Sequence, residues 1–328
     1  MPTDRRAPLR ILVTGVGGAP GFDLVRALVR LGCDVIATDS NPFAPGLLLP
    51  TVIPRTIAPA VHPSYRASLL QLCGELRPHA MLSTVERELS RLVTVRRSLA
   101  DLGVTTWLPD ADAIDACTDK AAFHTALTRH GVPTPYTVLP DEFDQIPEDR
   151  PLIVKPRRGQ GARHVYTCRT REQARVLCDL VPEPIVQEYV TGREFTADCL
   201  VDRSGRASVV LRYRLLVKGG LAVVSETFHD AEAEDRVRQT LAAVGAAGAC
   251  CAQGFIREDG PDRVVMTEVN ARVGGGFATS EAAGADLIGQ YLAGLLDRPV
   301  DHDRLRYRPG VRLTKYTETL VSEGKQRW

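Results

Sequence analysis

With 328 residues the chain is long enough for two or three domains, and an apolar fraction of 44% can fill their cores. Its 41 basic and 40 acidic residues, a net charge of +1, leave no polybasic surface, so neither nucleic acid nor a membrane is expected as a partner. No apolar segment reaches the roughly 18 residues that a membrane helix needs, MPTDRRAPLR holds no signal-peptide core, and a cytoplasmic location is expected.

From residue 9 to about 107 strand and helix alternate: RILVT, a helix from Gly21, CDVIAT, a helix near Ser64 to Leu76, AMLST, a helix through Glu86 to Ala100, then VTTW. Such alternation predicts a parallel sheet covered by helices on both faces. The run RILVTGVGGAPGFDLVRALVR also approaches a dinucleotide fingerprint, with Gly15 and Gly17 as the first two glycines of G-x-G-x-x-G and Asp39 as the distal acid. The third glycine falls on Pro20, which offers no N–H to a pyrophosphate and disfavours a helical Ala19. A nicotinamide-dependent dehydrogenase therefore rests on this motif alone.

One helix is expected from Asp110 to His130, and GVPTPY ends it at a domain boundary. The texture then changes to PLIVKP, RHVYTC, PIVQEYV, REFTADCLV, ASVVLRYRLLV and LAVVSETF as strands, followed by a helix from Asp230 to Val244. CCAQGFIRE and RVVMTEVN read as paired strands, and a last helix is expected from about Ser280 to Leu296. Unequal runs of strands and helices fit an α+β domain. The eight cysteines hold no C-x-x-C pair and the seven histidines no ligand spacing, so neither is given a metal or redox role.

Four short pieces carry chemistry. In MTEVNARVGGG, Glu268, Asn270 and Arg272 share one strand parity, which sets a carboxylate and a carboxamide beside a guanidinium, as a magnesium ion holding phosphates requires. In IVKPRRGQGARHV, Lys155 closes a strand, and a loop with Gly159 and Gly161 can fold its N–H groups over phosphates. In PIVQEYVTGREFTAD, a strand ending at Gln187 and Glu188 offers backbone edges to a purine, and Glu194 offers a carboxylate to ribose hydroxyls. Lys120 in CTDKAAFHTAL is a charged residue on an amphipathic helix. Taken singly, E-x-N is more often a surface strand of alternating polar residues, and the lysine loop reads also as a basic hairpin.

In this order and spacing the four pieces resemble the ATP-grasp superfamily, specifically its carbamoyl-phosphate-synthase-like carboxylate–amine ligases, over residues 9 to 300. The stretch VTGREFTAD is also similar to the hinge of D-alanine–D-alanine ligase. The resemblance implies an α/β plus α+β fold, in which an N-terminal Rossmann-like pre-ATP-grasp domain (1–110) precedes a two-lobed ATP-grasp domain (111–300). The small lobe would span about 116–190, the large lobe about 191–300, and residues 301–328 would form a tail. It implies that Lys120 and Lys155 contact the nucleotide phosphates under the Gly159 to Gly161 loop, with Lys218 of LLVKGG reaching a phosphate. Gln187, Glu188 and Val190 would meet adenine, and Glu194 the ribose. Gln253, Glu268 and Asn270 would hold Mg²⁺, with Mn²⁺ as a substitute, and Arg272 would steady the transferring phosphoryl group. The implied activity joins a carboxylate to an amine, amino acids among the candidates, through an acyl phosphate, releasing ADP and phosphate. Alternatives are a kinase that stops at an acyl or carbamoyl phosphate and a regulatory nucleotide-binding protein without turnover. A homodimer is the implied assembly.

Overall fold

A computed structural model describes residues 7–146, 150–159, 161–258 and 261–321; Gln160 of the glycine loop and residues 322–328 of the tail lie outside the described residues. The first unit is a parallel four-stranded sheet of order β3-β2-β1-β4, built from β1 (Arg10–Thr14), β2 (Asp34–Asp39), β3 (Val52–Thr56) and β4 (Ala80–Ser83). Strand alternation divides its side chains. Ile11, Val13, Val35 and Leu82 pack with α1 (Ala19–Arg30), whereas Leu12, Ile36 and Met81 pack against Leu69 of α2 (Tyr65–Leu76) and Leu92 and Leu99 of α3 (Glu86–Asp101). Each such fully buried side chain contributes about 1.5–3 kcal/mol of burial energy. VTTW supplies only an isolated bridge from Thr105 to Ala80 where a fifth strand was expected.

Helix α1 opens at Ala19, two residues before the expected Gly21, with Pro20 inside its first turn. First-turn N–H groups have no helical partner, so proline loses nothing there. Gly21 then takes over the packing role of a third fingerprint glycine, because a Cβ at this position would strike the Gly15 carbonyl.

The expected helix from Asp110 to His130 is broken in two. Asp119 adopts an extended conformation between α4 (Ala111–Thr118) and α5 (Lys120–Arg129), and its side chain caps α5 by accepting from the N–H groups of Ala121 (3.0 Å) and Ala122 (3.1 Å). An antiparallel sheet of order β5-β8-β6-β7 follows, formed by β5 (Thr137–Val138), β6 (Leu152–Pro156), β7 (Tyr166–Cys168) and β8 (Pro184–Glu188), with α6 (Arg171–Leu180) packed on it. RHVYTC is thus strand only from Tyr166.

The largest sheet has six antiparallel strands in the order β13-β12-β9-β10-β11-β14. They are β9 (Arg193–Val201), β10 (Ala207–Lys218), β11 (Leu221–Thr227), β12 (Gly248–Ile256), β13 (Val264–Asn270) and β14 (Arg312–Thr314). Part of the tail therefore closes an edge of this sheet. Its apolar face, with Phe195, Ala197, Cys199, Leu211 and Val269, packs on α4, α5 and α7 (Ala231–Ala243). The expected helix from Ser280 to Leu296 is divided into α8 (Phe277–Ala282) and α9 (Leu287–Leu295) around Gly284, whose φ is 109°. Leu200 and Ala249 of the opposite face join α1, α8 and α9 in a single core with the parallel sheet, so the two units share their packing. Among the described residues no helix is long and apolar enough to cross a membrane, and all eight cysteines are free, six of them buried.

Candidate active site

The sequence REFTADCLV alternates strictly, and its polar set, Glu194, Thr196 and Asp198, faces away from the apolar core. Strand register extends this polar face sideways. Thr196 lies opposite both Arg212 and Gln253, and Gln253 lies opposite Glu268, so these four side chains form one row across β10, β9, β12 and β13. A register shift directly after Gln253 accommodates an extra residue while keeping it paired with Glu268. Asn270 donates to Glu268 Oε1 at 3.0 Å and accepts from Arg272 Nη2 at 2.9 Å, which links the three residues in a single hydrogen-bonded chain. Arg272 Nε is buried and has no partner among the described residues.

The second wall is formed by the small sheet and α5. Lys155 on β6 donates from Nζ to Gln187 Oε1 at 2.7 Å, and Gln187 Nε2 donates to Thr137 Oγ1 at 2.7 Å. Burial first, and the nearby charge of Lys120 second, bring the Lys155 pKa down to about 8 against the opposing pull of Glu268. Lys120 Nζ donates to the Gly159 carbonyl at 3.1 Å, holding the start of the glycine loop. Gly161 follows in a left-handed conformation (φ 72°), as does Gly220 (φ 77°) in the β10–β11 turn, and a Cβ on Gly220 would come within 2.9 Å of the Gly161 backbone. The hairpin tip and the loop are therefore in contact through two glycines.

Not every residue singled out from the sequence converges. Gln187 is only 4% exposed and its side-chain amide is engaged by Lys155 and Thr137, so its side chain positions the lysine. Glu188 pairs with Arg150 (2.6 Å) and Glu194 with Arg214 (3.0 Å). Val190 is buried beside the hinge, where Gly192 (φ 149°) passes so close to the Ile256 carbonyl, 2.5 Å from its would-be Cβ, that no side chain fits. Lys218 is exposed near the hairpin tip, next to Gly219 and Gly220, and apart from the row on β12 and β13.

Three further groups shape the site. Asp119, 2% exposed, accepts from Arg157 Nε at 2.7 Å and from Arg158 Nη2 at 3.0 Å, tying the loop to the start of α5. Burial alone would raise its pKa, but the hydrogen bonds from Arg157 and Ala122 and the two arginine charges outweigh it and hold the carboxyl below its usual range. Beneath Gly274 and Gly276 lies a buried ion pair: Arg212 donates to Asp198 at 2.8 and 3.1 Å, and Ser280 donates to the same carboxylate at 2.7 Å. The third is Glu86, the first residue of α3. It is 8% exposed, its Oε2 has no partner among the described residues, and burial followed by the charge of Glu268 pushes its pKa up to about 7 against Arg272, Lys120 and Arg87. The alternation of REFTADCLV foreshadows the placement of Asp198, and Thr118-Asp119 reads as a cap. Glu86 carries no local signal, because the residues around it come from distant parts of the chain.

Two open surface depressions, of about 640 and 940 Å³, lie elsewhere, along α5 and between β10 and α7, and neither is lined by Lys155, Glu268, Asn270 or Arg272. Among the described residues no three His, Cys, Asp or Glu side chains form a metal cage. A donor set of one carboxylate with amide oxygens suits an ion whose other ligands are water and substrate phosphates, the usual habit of Mg²⁺.

Residues 117–276 match the ATP-grasp domain family. No curated protein matches the sequence. The fold is similar to that of biotin carboxylase from Campylobacter jejuni in a β,γ-ATP complex, with a TM-score of 0.73 and 15% identity over 91% of this chain and 73% of that one. It is similar too to the biotin carboxylase domain of Hydrogenobacter thermophilus 2-oxoglutarate carboxylase with MgADP and bicarbonate (TM-score 0.71, 17% identity, 92% and 73% coverage). A third such structure is L-amino acid ligase from Bacillus licheniformis (TM-score 0.70, 18% identity, 93% and 78% coverage). With three sheets in this arrangement and a lysine and glycine loop facing the strand that carries Glu268 and Asn270, residues 117–276 are an ATP-grasp domain.

Proposed function

We propose that the protein is an ATP-dependent carboxylate–amine ligase, forming an amide or peptide bond through an acyl phosphate with release of ADP and phosphate. The observation that carries this reading is the hydrogen-bonded chain Glu268–Asn270–Arg272 at the end of β13, set against Lys155 and Lys120 across one cleft. A pocket for nucleotide binding alone has no need of an arginine bonded to Asn270 beside Glu268. The structural neighbours point the same way, since one is a β,γ-ATP complex, another holds MgADP with bicarbonate, and a third is an amino acid ligase.

In this reading the first 110 residues are a Rossmann-like domain without dinucleotide duty, and residues 111–300 are the two ATP-grasp lobes. Lys155 and Lys120 bind phosphate oxygens, and the Gly159 to Gly161 loop and the hairpin tip with Lys218 cover them. The segment from Glu188 to Val190 lies along adenine, and Glu194 meets the ribose. Glu268 and Asn270, with Gln253 opposite, would hold Mg²⁺, which when bound neutralises phosphoryl charge. Arg272 stabilises the charge on the transferring phosphoryl group, and Gly274 to Gly276 let backbone N–H groups approach the carboxylate. Exclusion of water then protects the acyl phosphate until an amine attacks. A screen of ATP hydrolysis with amino acids and small carboxylates, with and without amines, followed by mass analysis, tests this. Phosphate release that depends on both substrates is expected, and release indifferent to amine would reduce the protein to a kinase.

A further inference from the structure

Glu86 is a buried carboxylate with an unused oxygen, and the mechanism above gives it no work. An unpaired buried polar atom costs about 1–3 kcal/mol, more when charged, so its retention calls for a partner supplied from outside the chain. Its position is rigid. Ser83 Oγ accepts from the Val85 N–H at 3.1 Å and donates to Glu88 at 2.7 Å, while Thr84 Oγ1 donates to the Thr14 carbonyl at 2.9 Å. This turn sits at the carboxyl end of β4, the edge at which open α/β sheets receive ligands. The same edge faces the Gly274 to Gly276 loop: a Cβ on Gly275 would lie 3.6 Å from the Pro20 ring at the start of α1. Glu86 thus stands at this edge within the electrostatic reach of Glu268, Arg272 and Lys120.

We infer that Glu86 receives the ammonium group of the amine substrate, which is accordingly a primary amine carried in as a cation, such as an amino acid. This rests on the ligase reading. A bound cation fits better than a further metal ligand role, because Glu86 and Glu268 find no third His, Cys, Asp or Glu to complete a cage among the described residues. It also supplies the positive charge that the buried, unpartnered carboxylate lacks.

The test separates a charged nucleophile from a neutral one. Hydroxylamine, uncharged near neutral pH, needs no carboxylate to seat it, whereas each of the twenty proteinogenic L-amino acids brings an ammonium. With ATP and the carboxylate found in the screen, Glu86→Gln should form hydroxamate within about twofold of the parent, with KM for ATP unchanged. Its KM for the amino acid that the parent uses should rise roughly tenfold or more, the scale of one lost charge-assisted hydrogen bond. Glu86→Asp, which keeps the charge, should fall between the two and serves also if the glutamine variant fails to fold. Equal losses of hydroxamate and amide would place Glu86 with the phosphates and overturn the inference, as would an unchanged amine KM. If the parent itself yields neither hydroxamate nor ADP with any carboxylate, the ligase reading fails first and takes this inference with it.

Discussion

Lys155 Nζ is held 2.7 Å from Gln187 Oε1, and this contact fixes where the buried lysine sits. With its pKa lowered to about 8 by burial and by Lys120, the lysine loses its proton over a range in which an ordinary lysine keeps it. Phosphate charge favours the protonated form, so ATP binding above about pH 8 should draw a proton from solution, and affinity should weaken as pH rises. Calorimetric titration in two buffers of different ionisation enthalpy measures the uptake. Lys155→Arg, which stays charged, should abolish it. The sign for folding is opposite: the unfolded chain binds more protons between about pH 8 and the ordinary lysine value, so stability of the free protein should rise with pH there.

Asp119 joins a helix cap to the glycine loop. Asp119→Asn keeps the cap but discards both arginine pairs, and Asp119→Ala loses everything. The alanine variant should be less stable by about 1 kcal/mol from the cap alone, visible in urea melts. Both variants should raise KM for ATP severalfold. An asparagine variant with unaltered KM would show that the loop needs no anchor.

The buried Arg212–Asp198–Ser280 cluster supports Gly274 and Gly276 from below. Asp198→Ala leaves a guanidinium unpaired in the core and should cost about 3–5 kcal/mol. Gly276→Ala drives a methyl group into the same guanidinium and should cost about 1–3 kcal/mol. Guanidinium chloride midpoints would measure both, and a silent Gly276→Ala would mean that the loop sits elsewhere.

Glu268→Gln preserves side-chain volume and removes the negative charge from the proposed Mg²⁺ ligands. Turnover should drop by about a hundredfold or more, the equivalent of roughly 3 kcal/mol, while the melting temperature changes little. Wild-type turnover with the native substrates would exclude Glu268 from the metal site.

The sequence disclosed most where local rules act alone. β9 matches REFTADCLV residue for residue, and β13 ends on Asn270 as read, because alternation and burial agree in both. It misled where two local signals competed. Asp119 can continue a helix or cap one, and the arginines that favour the cap, Arg157 and Arg158, lie far along the chain. Pro20 marked a delayed helix start but occupies a first turn, where its missing N–H does not matter. The row Arg212, Thr196, Gln253 and Glu268 depends on strand order, and Glu86 on the packing of α3 against a strand nearly two hundred residues away, so neither could be read from spacing.

The central claim is that charge at the cleft converges on the terminal phosphate, making an acyl phosphate and ADP. Nucleotide chromatography after one round of reaction with ATP, the carboxylate and hydroxylamine tests it most directly. Hydroxamate and ADP in equal amounts are the result this account requires; AMP and pyrophosphate as the main products would contradict the mechanism while leaving the nucleotide site in place.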